Sequence, residues 1–411
     1  MLNIISCEFL EEIIYNLFLN EGREIYNEDG TFNKDEAIKL SGKIAGVCYD
    51  EEGFDHLMHE DEKKTIKRAN RTLNDGHHSV FGHVNLSLNL QGVPKILAMT
   101  LNNEHEYTTS EKSGRYTPVI RTEGSIITEK EEELYNKWVE IFKIKIKNEY
   151  GNVFNDFKIK TLAQENARSL VSVFMPTTLI YTTSLRQINY IASWMEKYIK
   201  ENGESKDKFK SDLSSSMEGF LSELDKLNIL IPGLMTNDKN RSFSLFGSNL
   251  DKKKDYFGDV YSTNYKMSFA GLAQAQRHRT LDYKIERTDE KEYFVPPILE
   301  NDPVLVNEWL HDIESVKDVI PNGELVLVNE NGNYENFILK CQERLCTAAQ
   351  LEIMRQTRDT LLKYRNALKE SESPLYDDIE KYTHGARCTF PNYKCSKPCG
   401  FKEGITLTRK I

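Results

Sequence analysis

The chain has 411 residues, of which 39% are apolar and 29% are charged, and this composition excludes a disordered or collagen-like protein. A formal net charge of -10 argues against a protein that mainly coats nucleic acid, so an anion site would need a local cluster of basic residues. The length predicts two or three domains, each large enough to bury a core without disulfide or metal staples.

Residues 1–20 show helical periodicity and carry Glu8, Glu11 and Glu12, which is unlike the basic leader of a secreted protein. We expect them to form a helix of the mature protein. No stretch is long and apolar enough to cross a membrane, so no membrane partner is expected. Seven cysteines, an odd number in a chain of this length, predict reduced thiols and a cytoplasmic location.

Periodicity predicts one strand and several helices along the chain. Residues 84–90 alternate apolar and polar side chains, as a half-buried strand does. Helices are predicted at 131–150, 216–227, 267–279 and 344–368. The segment from residue 382 onward contains many Gly and Pro residues and is predicted to be mostly loop.

A polar motif at 110–116 combines a tight turn with an arginine. The small residues Ser113 and Gly114 leave backbone N–H groups uncovered, and the adjacent Arg115 offers a planar fork of donors. This combination suits a phosphate monoester. A plain polar loop is the alternative interpretation.

A second motif places three consecutive basic residues after an apolar run. On a helix, Gln274 and Arg277 would share one face and grip a single ligand, whereas His278 and Arg279 would face a second ligand. A solvated basic patch is the alternative interpretation, but the apolar residues that precede the motif argue against a wholly exposed helix.

Two clusters could hold a metal ion or a cofactor. Three histidines at 76–83 could ligate a metal, form hydrogen bonds at a helix end, or line a site for a flat heteroaromatic cofactor. Cys388, Cys395 and Cys399, with His384 nearby, could bind zinc, but the usual Cys-x-x-Cys pair is missing and no metal is predicted. The chain also contains no P-loop and no Gly-x-Gly-x-x-Gly turn.

Taken together, these motifs resemble the sequence signatures of the flavin-dependent thymidylate synthases. The family's Arg-His-Arg signature is similar to residues 277–279, and its Ser-Gly-Arg-Tyr loop is similar to residues 113–116. Further segments that resemble the family are the Gly-His segment at 76–83, the Ala-Arg and Asn-x-Arg motifs at 167–168 and 184–186, and the Arg-x5-Gln-x-Glu-Ile helix at 344–353.

Each half of the chain lacks a motif that the other half retains. Residues 103–105 of the first half are Asn-Glu-His where the family has Arg-His-Arg, and no Ser-Gly-Arg-Tyr follows Arg279 in the second half. A duplicated chain explains this distribution. Other departures from the family are Gly82 for a glutamate, Ser184 for an asparagine and Ala348 for a histidine.

The resemblance implies an α+β fold of two degenerate repeats, each an antiparallel sheet packed with long helices. The implied division is a first repeat at 1–205, a polar junction at 206–258, a second repeat at 259–380 and a cysteine-containing tail at 381–411. Because the sites of the family lie between subunits of a tetramer, the resemblance also implies a homodimer that forms a pseudo-tetramer.

The resemblance further implies methylation of dUMP to dTMP, with FAD as cofactor and NADPH and 5,10-methylenetetrahydrofolate as co-substrates. The implied substrate-binding residues, drawn from both repeats, are Glu111, Lys112, Ser113, Gly114, Arg115, Arg168, Gln274, Arg277 and Arg344. The implied catalytic residues are Arg115, Arg277 and Arg344, because desolvated arginines polarise the pyrimidine so that C5 becomes nucleophilic. The implied flavin-binding residues are His77, Ser79, Arg186, His278 and Arg279.

Three alternatives stay open at this point. A cysteine-dependent thymidylate synthase would need an activated cysteine, but the Pro-Cys pair that ends at Cys399 is followed by Gly400 rather than a histidine. The departures from the family also leave room for a flavoenzyme that modifies C5 of a related pyrimidine nucleotide. The third alternative is a non-catalytic subunit that only binds flavin or nucleotide.

Overall fold

The computed structural model describes residues 25–28, 31–115, 117–119, 121, 126–236 and 245–411. The helix predicted at 1–20 and Tyr116 of the Ser-Gly-Arg-Tyr motif lie outside these residues. The fold is α+β with two antiparallel sheets, which confirms the predicted fold class. The duplication stays a prediction. Within the described ranges, no helix has the length and apolar character needed to cross a membrane.

The elements are numbered here in chain order. The α-helices are α1 (Lys34–Gly46), α2 (Phe54–Met58), α3 (Glu62–Asn74), α4 (Lys95–Leu101), α5 (Glu129–Tyr150), α6 (Asp156–Ala167), α7 (Leu185–Asn202), α8 (Lys208–Lys226), α9 (Phe269–Ala275), α10 (Pro303–Glu314), α11 (Tyr334–Arg344), α12 (Leu351–Glu370), α13 (Tyr376–Ile379) and α14 (Lys402–Ile405). The strands are β1 (Asn85–Pro94), β2 (Thr108–Glu111), β3 (Pro176–Ser184), β4 (Tyr256–Phe257), β5 (Val260–Ser268), β6 (Asp282–Glu286) and β7 (Leu325–Asn333).

The chain divides into two compact units, each assembled from separate stretches. Among the described residues, the first unit takes 25–90, 105–110 and 180–236, and the second unit takes 91–104, 111–179 and 245–411. The second unit therefore contains residues of both predicted repeats.

The predicted strand and the long helix of the first half are confirmed. Strand β1 buries Leu86 and Leu88 and exposes the polar residues between them, in a sheet of order β1-β3-β2. Helix α5 begins where Thr128 and Glu131 form a capping box: the Thr128 hydroxyl accepts from the Glu131 N–H, and the Glu131 carboxylate accepts from the Thr128 N–H. This reciprocal cap fixes the start of the helix.

The core of the second unit joins helices from both halves of the chain. Trp138 of α5 and Trp309 of α10 are fully buried and meet edge to face, with ring centroids 4.9 Å apart. The Trp138 indole N–H donates to Oδ2 of Asp312 at 2.8 Å. Paired aromatic rings of this size contribute much of the burial that stabilises a core.

The second sheet has the order β4-β5-β7-β6, and it corrects the helix predicted at 267–279. Met267 and Ser268 pair with β7 as the end of strand β5, and helix α9 runs only from Phe269 to Ala275. The reason is the cap: the Ser268 hydroxyl accepts from the Gly271 N–H at 3.0 Å, which starts the helix after the strand.

The helix predicted at 344–368 is also wrong as one element. Helix α11 ends at Arg344 and helix α12 begins at Leu351, and residues 345–350, here called the 345–350 loop, lie between them. The helix predicted at 216–227 exists but begins earlier, at Lys208. The tail from residue 382 is mostly loop, as predicted, with one short helix, α14.

Candidate active site

A cavity of about 190 Å³ lies in the second unit, and residues from both halves of the chain line it. Of the nine predicted substrate-binding residues, eight line this cavity: Glu111, Lys112, Ser113, Gly114, Arg115, Arg168, Gln274 and Arg277. Arg344 is not among the lining residues. The structure thus brings together side chains that the sequence separates, and their role in binding stays a prediction.

Glu111 is the buried acidic centre of the cavity wall. It ends strand β2, and its side chain is only 3% exposed. Oε1 accepts from Nζ of Lys95 at 2.5 Å and from the Thr177 hydroxyl at 3.3 Å. Oε2 lies 3.8 Å from Nη1 of Arg277. The carboxylate is therefore neutralised by cations and orients them.

Arg115 of the Ser-Gly-Arg turn is held by hydrogen bonds from its backbone and from its guanidinium. The Ser113 hydroxyl accepts from the Arg115 N–H at 3.3 Å, which tightens the turn. Nε of Arg115 donates to Oε2 of Glu165 on helix α6 at 2.6 Å, and Nη1 donates to the carbonyl of Ala348 at 3.1 Å. The guanidinium is fixed at the cavity wall by groups from both halves of the chain.

Arg168 follows helix α6 and presents a buried guanidinium to the cavity. Within the described part of the chain, Nε and Nη2 of this residue have no hydrogen-bond partner. Burial lowers the pKa of Arg168, and the charge of Glu165 opposes that shift. A Cβ atom on Gly114 would lie 3.3 Å from Nη1 of Arg168, so glycine is what lets the turn approach this closely. An anion in the cavity would supply the missing acceptor.

Gln274 and Arg277 reach the cavity from α9 and the turn after it. The prediction that both share one helix face is wrong, because α9 ends at Ala275 and Arg277 lies beyond it. Both nevertheless line the cavity. Glu352 stabilises the start of α9. Its carboxylate accepts from the Ser268 N–H at 2.7 Å and from the Ser268 hydroxyl at 2.6 Å.

The side chains that line the cavity carry a net positive charge, although the whole chain is acidic. Five lining residues are cationic and one is anionic, while the whole chain carries -10. One of the cations, Lys95, belongs to no motif, and the sequence alone does not predict its place in the cavity. It begins helix α4 after the Pro94 that ends β1, and burial lowers its pKa while Glu111 raises it. Like charges this close repel one another, so a bound anion would stabilise the cationic side chains of the cavity.

Arg344 and the residues after Arg277 lie in the same unit but do not line the cavity. Burial lowers the pKa of Arg344, and the charges of Arg277 and Arg115 lower it further against the attraction of Glu343. His278 is 3% exposed, and burial lowers its pKa to about 2, helped by Arg344 and Lys340. Its Nε2 lies 3.4 Å from Oε2 of Glu343, but the imidazole is neutral, so this is not an ion pair. Arg279 is half-buried.

The other predicted flavin residues belong to the first unit. His77 and Ser79 are exposed, whereas His78 between them is buried and donates from Nε2 to the Leu73 carbonyl at 3.0 Å. Nε of Arg186 is buried and has no hydrogen-bond partner among the residues that the structure describes. A Cβ atom on Gly82 would stand 4.0 Å from Cδ of Arg186. The glycine that replaces the family's glutamate thus leaves space beside an arginine.

The tail cysteines lie near one another. Burial raises the pKa of the Cys388 thiol, and the charges of Cys399, Cys395 and Cys346 raise it further. Among the described residues, no group of three or more His, Cys, Asp or Glu side chains is placed so that it could hold a metal ion.

Residues 32–195 match the sequence model of the family described as thymidylate synthase complementing protein. No curated protein matches the chain. The match supports a function of the thymidylate synthase type, and it includes Glu111, Arg115 and Arg168 but not Gln274 or Arg277. The predicted resemblance to the flavin-dependent thymidylate synthases is therefore confirmed over residues 32–195.

Proposed function

We propose that the protein methylates dUMP at C5 to give dTMP, with 5,10-methylenetetrahydrofolate as carbon donor, NADPH as reductant and FAD as cofactor. One observation supports the proposal: eight of the nine residues predicted to bind the nucleotide, drawn from both halves of the sequence, line one cationic cavity. The cavity is the composite site of the nucleotide.

The phosphate monoester of dUMP is the ligand group that suits this charge distribution best. Arg168 offers two buried donor atoms that have no acceptor among the described residues, and Arg115 and Lys112 add positive charge from the Ser-Gly-Arg turn. Charge-assisted hydrogen bonds from arginine to a phosphate are short and about twice as strong as neutral ones. Binding of the phosphate would therefore offset the free-energy cost of burying these cations.

We propose that residues from the second half of the sequence, Gln274 and Arg277, bind the pyrimidine ring. Gln274 offers an amide that can both donate and accept, which matches the imide edge of uracil. Arg277 is held beside Glu111 and can stabilise negative charge that develops on a pyrimidine carbonyl when C5 attacks an electrophile. Arg344 tunes this charge through the electrostatic field rather than by lining the cavity.

FAD would be held by residues that fit an anionic, aromatic group. Nε of Arg186 has no hydrogen-bond partner in the described part of the chain and lies beside the open space at Gly82, so it suits a phosphate oxygen. Exposed His77 and Ser79 offer a ring face and a hydroxyl on the same unit. Neutral His278 and the adjacent Arg279 are the second-unit candidates. When bound, the flavin supplies the hydride that reduces the transferred carbon. We propose a homodimer as the assembly in which this takes place.

The test begins with the purified protein. Flavin should be released on heating, NADPH oxidation should depend on dUMP, and labelled carbon from methylenetetrahydrofolate should appear as a methyl group on the pyrimidine. Arg115→Ala and Arg277→Ala should each abolish the dUMP dependence, whereas Arg71→Met, at an 81% exposed side chain, should not.

Three results would contradict the proposal. A colourless protein without releasable flavin excludes a flavoenzyme. NADPH oxidation that ignores dUMP and yields no methylated product favours a non-catalytic binding subunit. Turnover of a different pyrimidine nucleotide in preference to dUMP would favour the related C5-modifying enzyme.

A further inference from the structure

The last residues of the sequence are folded into the second unit. Phe401, Leu407 and Ile411 are buried. The ring of Phe401 meets that of Tyr150 edge to face at 5.5 Å, and the Tyr150 hydroxyl donates to Oε2 of Glu403 at 2.8 Å. Residues 401–411, here called the C-terminal strap, are therefore anchored to the end of helix α5.

The strap carries a buried arginine. Arg409 is 2% exposed, and its Nη2 donates to the carbonyl of Ala349 at 2.7 Å, while Nη1 donates to the carbonyl of Ile411. A guanidinium is costly to bury unless carbonyl or carboxylate oxygens face it. The contact with Ala349 is thus a strong constraint on the backbone of the 345–350 loop.

The same loop also holds Arg115. The Ala348 carbonyl accepts from Nη1 of Arg115, and the next carbonyl along the chain, that of Ala349, accepts from Arg409. The strap also packs closely against the 345–350 loop at Gly404, where an added Cβ atom would lie 2.2 Å from Cγ2 of Thr347. Two adjacent carbonyls therefore connect a cavity arginine to a buried arginine of the strap.

We propose that Arg409 is a positioning residue: through the 345–350 loop it sets the orientation of Arg115 and so the affinity for the ligand's phosphate. The inference rests on the proposed function only in that dUMP is the ligand. Glu165 fixes Nε of Arg115, and the Ala348 carbonyl fixes the other end of the guanidinium plane. If the loop moves, the Ala348 carbonyl leaves Nη1 of Arg115 and the orientation of the guanidinium plane changes.

The test compares Arg409→Met with Arg409→Lys, and uses Lys402→Ala, at an exposed position of the strap, as the control. We expect Arg409→Met to weaken dUMP binding about tenfold, the size of one charged hydrogen bond. The lysine variant should recover part of that loss, and the control should match the wild type. The Michaelis constant for dUMP should rise while kcat and flavin content change little.

A double-mutant cycle separates positioning from general stability. In an Arg115→Lys background, which keeps the positive charge but loses the planar guanidinium, Arg409→Met should cause no further loss of dUMP affinity, because the group that it orients is gone. Gly404→Ala leaves Arg409 intact but displaces the strap from Thr347, and it should behave in the same way. Additive losses in either cycle would overturn the inference.

Measurements on the ligand-free protein test the positioning role of Arg409 independently of the proposed function. Arg409→Met should speed amide hydrogen exchange at 345–350 and raise the reactivity of Arg115 toward phenylglyoxal. If both stay unchanged, the inference is wrong even if dUMP binds. If wild-type protein binds no dUMP, the proposed function fails, while faster exchange at the loop and a more reactive Arg115 would still support the positioning role.

Discussion

Nη1 of Arg277 lies 3.8 Å from Oε2 of Glu111, although the two residues come from opposite halves of the sequence. Both belong to the second compact unit. The same cavity is lined by further residues from both halves of the sequence.

Arg168→Met should stabilise the ligand-free protein while weakening ligand binding. The substitution removes two buried donor atoms that have no acceptor among the residues that the structure describes, each of which costs about 1–3 kcal/mol, and it keeps a side chain of similar length. We expect a higher melting temperature in calorimetry and a smaller shift on addition of dUMP. Arg71→Met, on the surface, should change stability by less than about 0.5 kcal/mol. A destabilised Arg168→Met protein with full dUMP affinity would contradict this account of the cavity.

Lys95→Met should destabilise the protein by about 2 kcal/mol, because it leaves the buried Glu111 carboxylate without its closest cation. The figure is at the low end for a buried pair, since the Lys95 side chain keeps 22% exposure through the cavity. Adding Glu111→Gln should restore part of the loss. Urea denaturation of both single variants and the double variant measures the coupling, and simple additivity would argue against the pair.

Gly271→Ala should lower stability by about 1–3 kcal/mol through overpacking. A Cβ atom there would lie 2.6 Å from Oε2 of Glu352, the carboxylate that holds the start of helix α9. The matched control is Gly219→Ala at an exposed position of α8, where nothing among the described residues lies within 4 Å of the added atom. That variant should be more stable than wild type by about 0.5–1 kcal/mol. Equal changes in stability at the two sites would show that the contact with Glu352 does not limit the space at Gly271.

His278 should make stability fall as the pH is lowered below 6.5. Its pKa is about 2 in the folded protein and 6.5 when unfolded, so between these values the unfolded state binds one more proton. The contribution is complete above pH 6.5 and is lost at up to about 1.4 kcal/mol per pH unit on acidification. Denaturation of wild type and His278→Gln between pH 7 and 5 measures the slopes. Parallel slopes would show that His278 is not held neutral.

The regular elements were predictable where local and tertiary signals agree. Apolar and polar residues alternate along strand β1, and helix α5 has both an apolar stripe and a capping box. The 345–350 loop was not predictable, because Cys-Thr-Ala-Ala-Gln is compatible with a helix. Its carbonyls instead accept hydrogen bonds from Arg115 and Arg409, residues far away in sequence. Tertiary contacts of this kind override helix propensity.

The cavity residues that carry motifs were predicted, and those that carry none were not. Glu111, Arg115 and Arg277 stand in recognisable patterns, whereas Lys95 follows an ordinary Pro94. The only signal for Lys95 was its position at the end of an alternating strand, where the chain turns into a helix. Its contact with Glu111 depends on the pairing of strands, which spacing along the sequence does not reveal.

The measurement that tests the composite site most directly is a mixture of Arg115→Ala and Arg277→Ala proteins, unfolded and refolded together. If one chain supplies both halves of the cavity, every site in the mixture lacks one arginine, and dUMP binding and dUMP-dependent methylation should stay absent. Recovery of about a quarter of the wild-type sites, as random pairing of two chains around shared sites gives, would contradict the account.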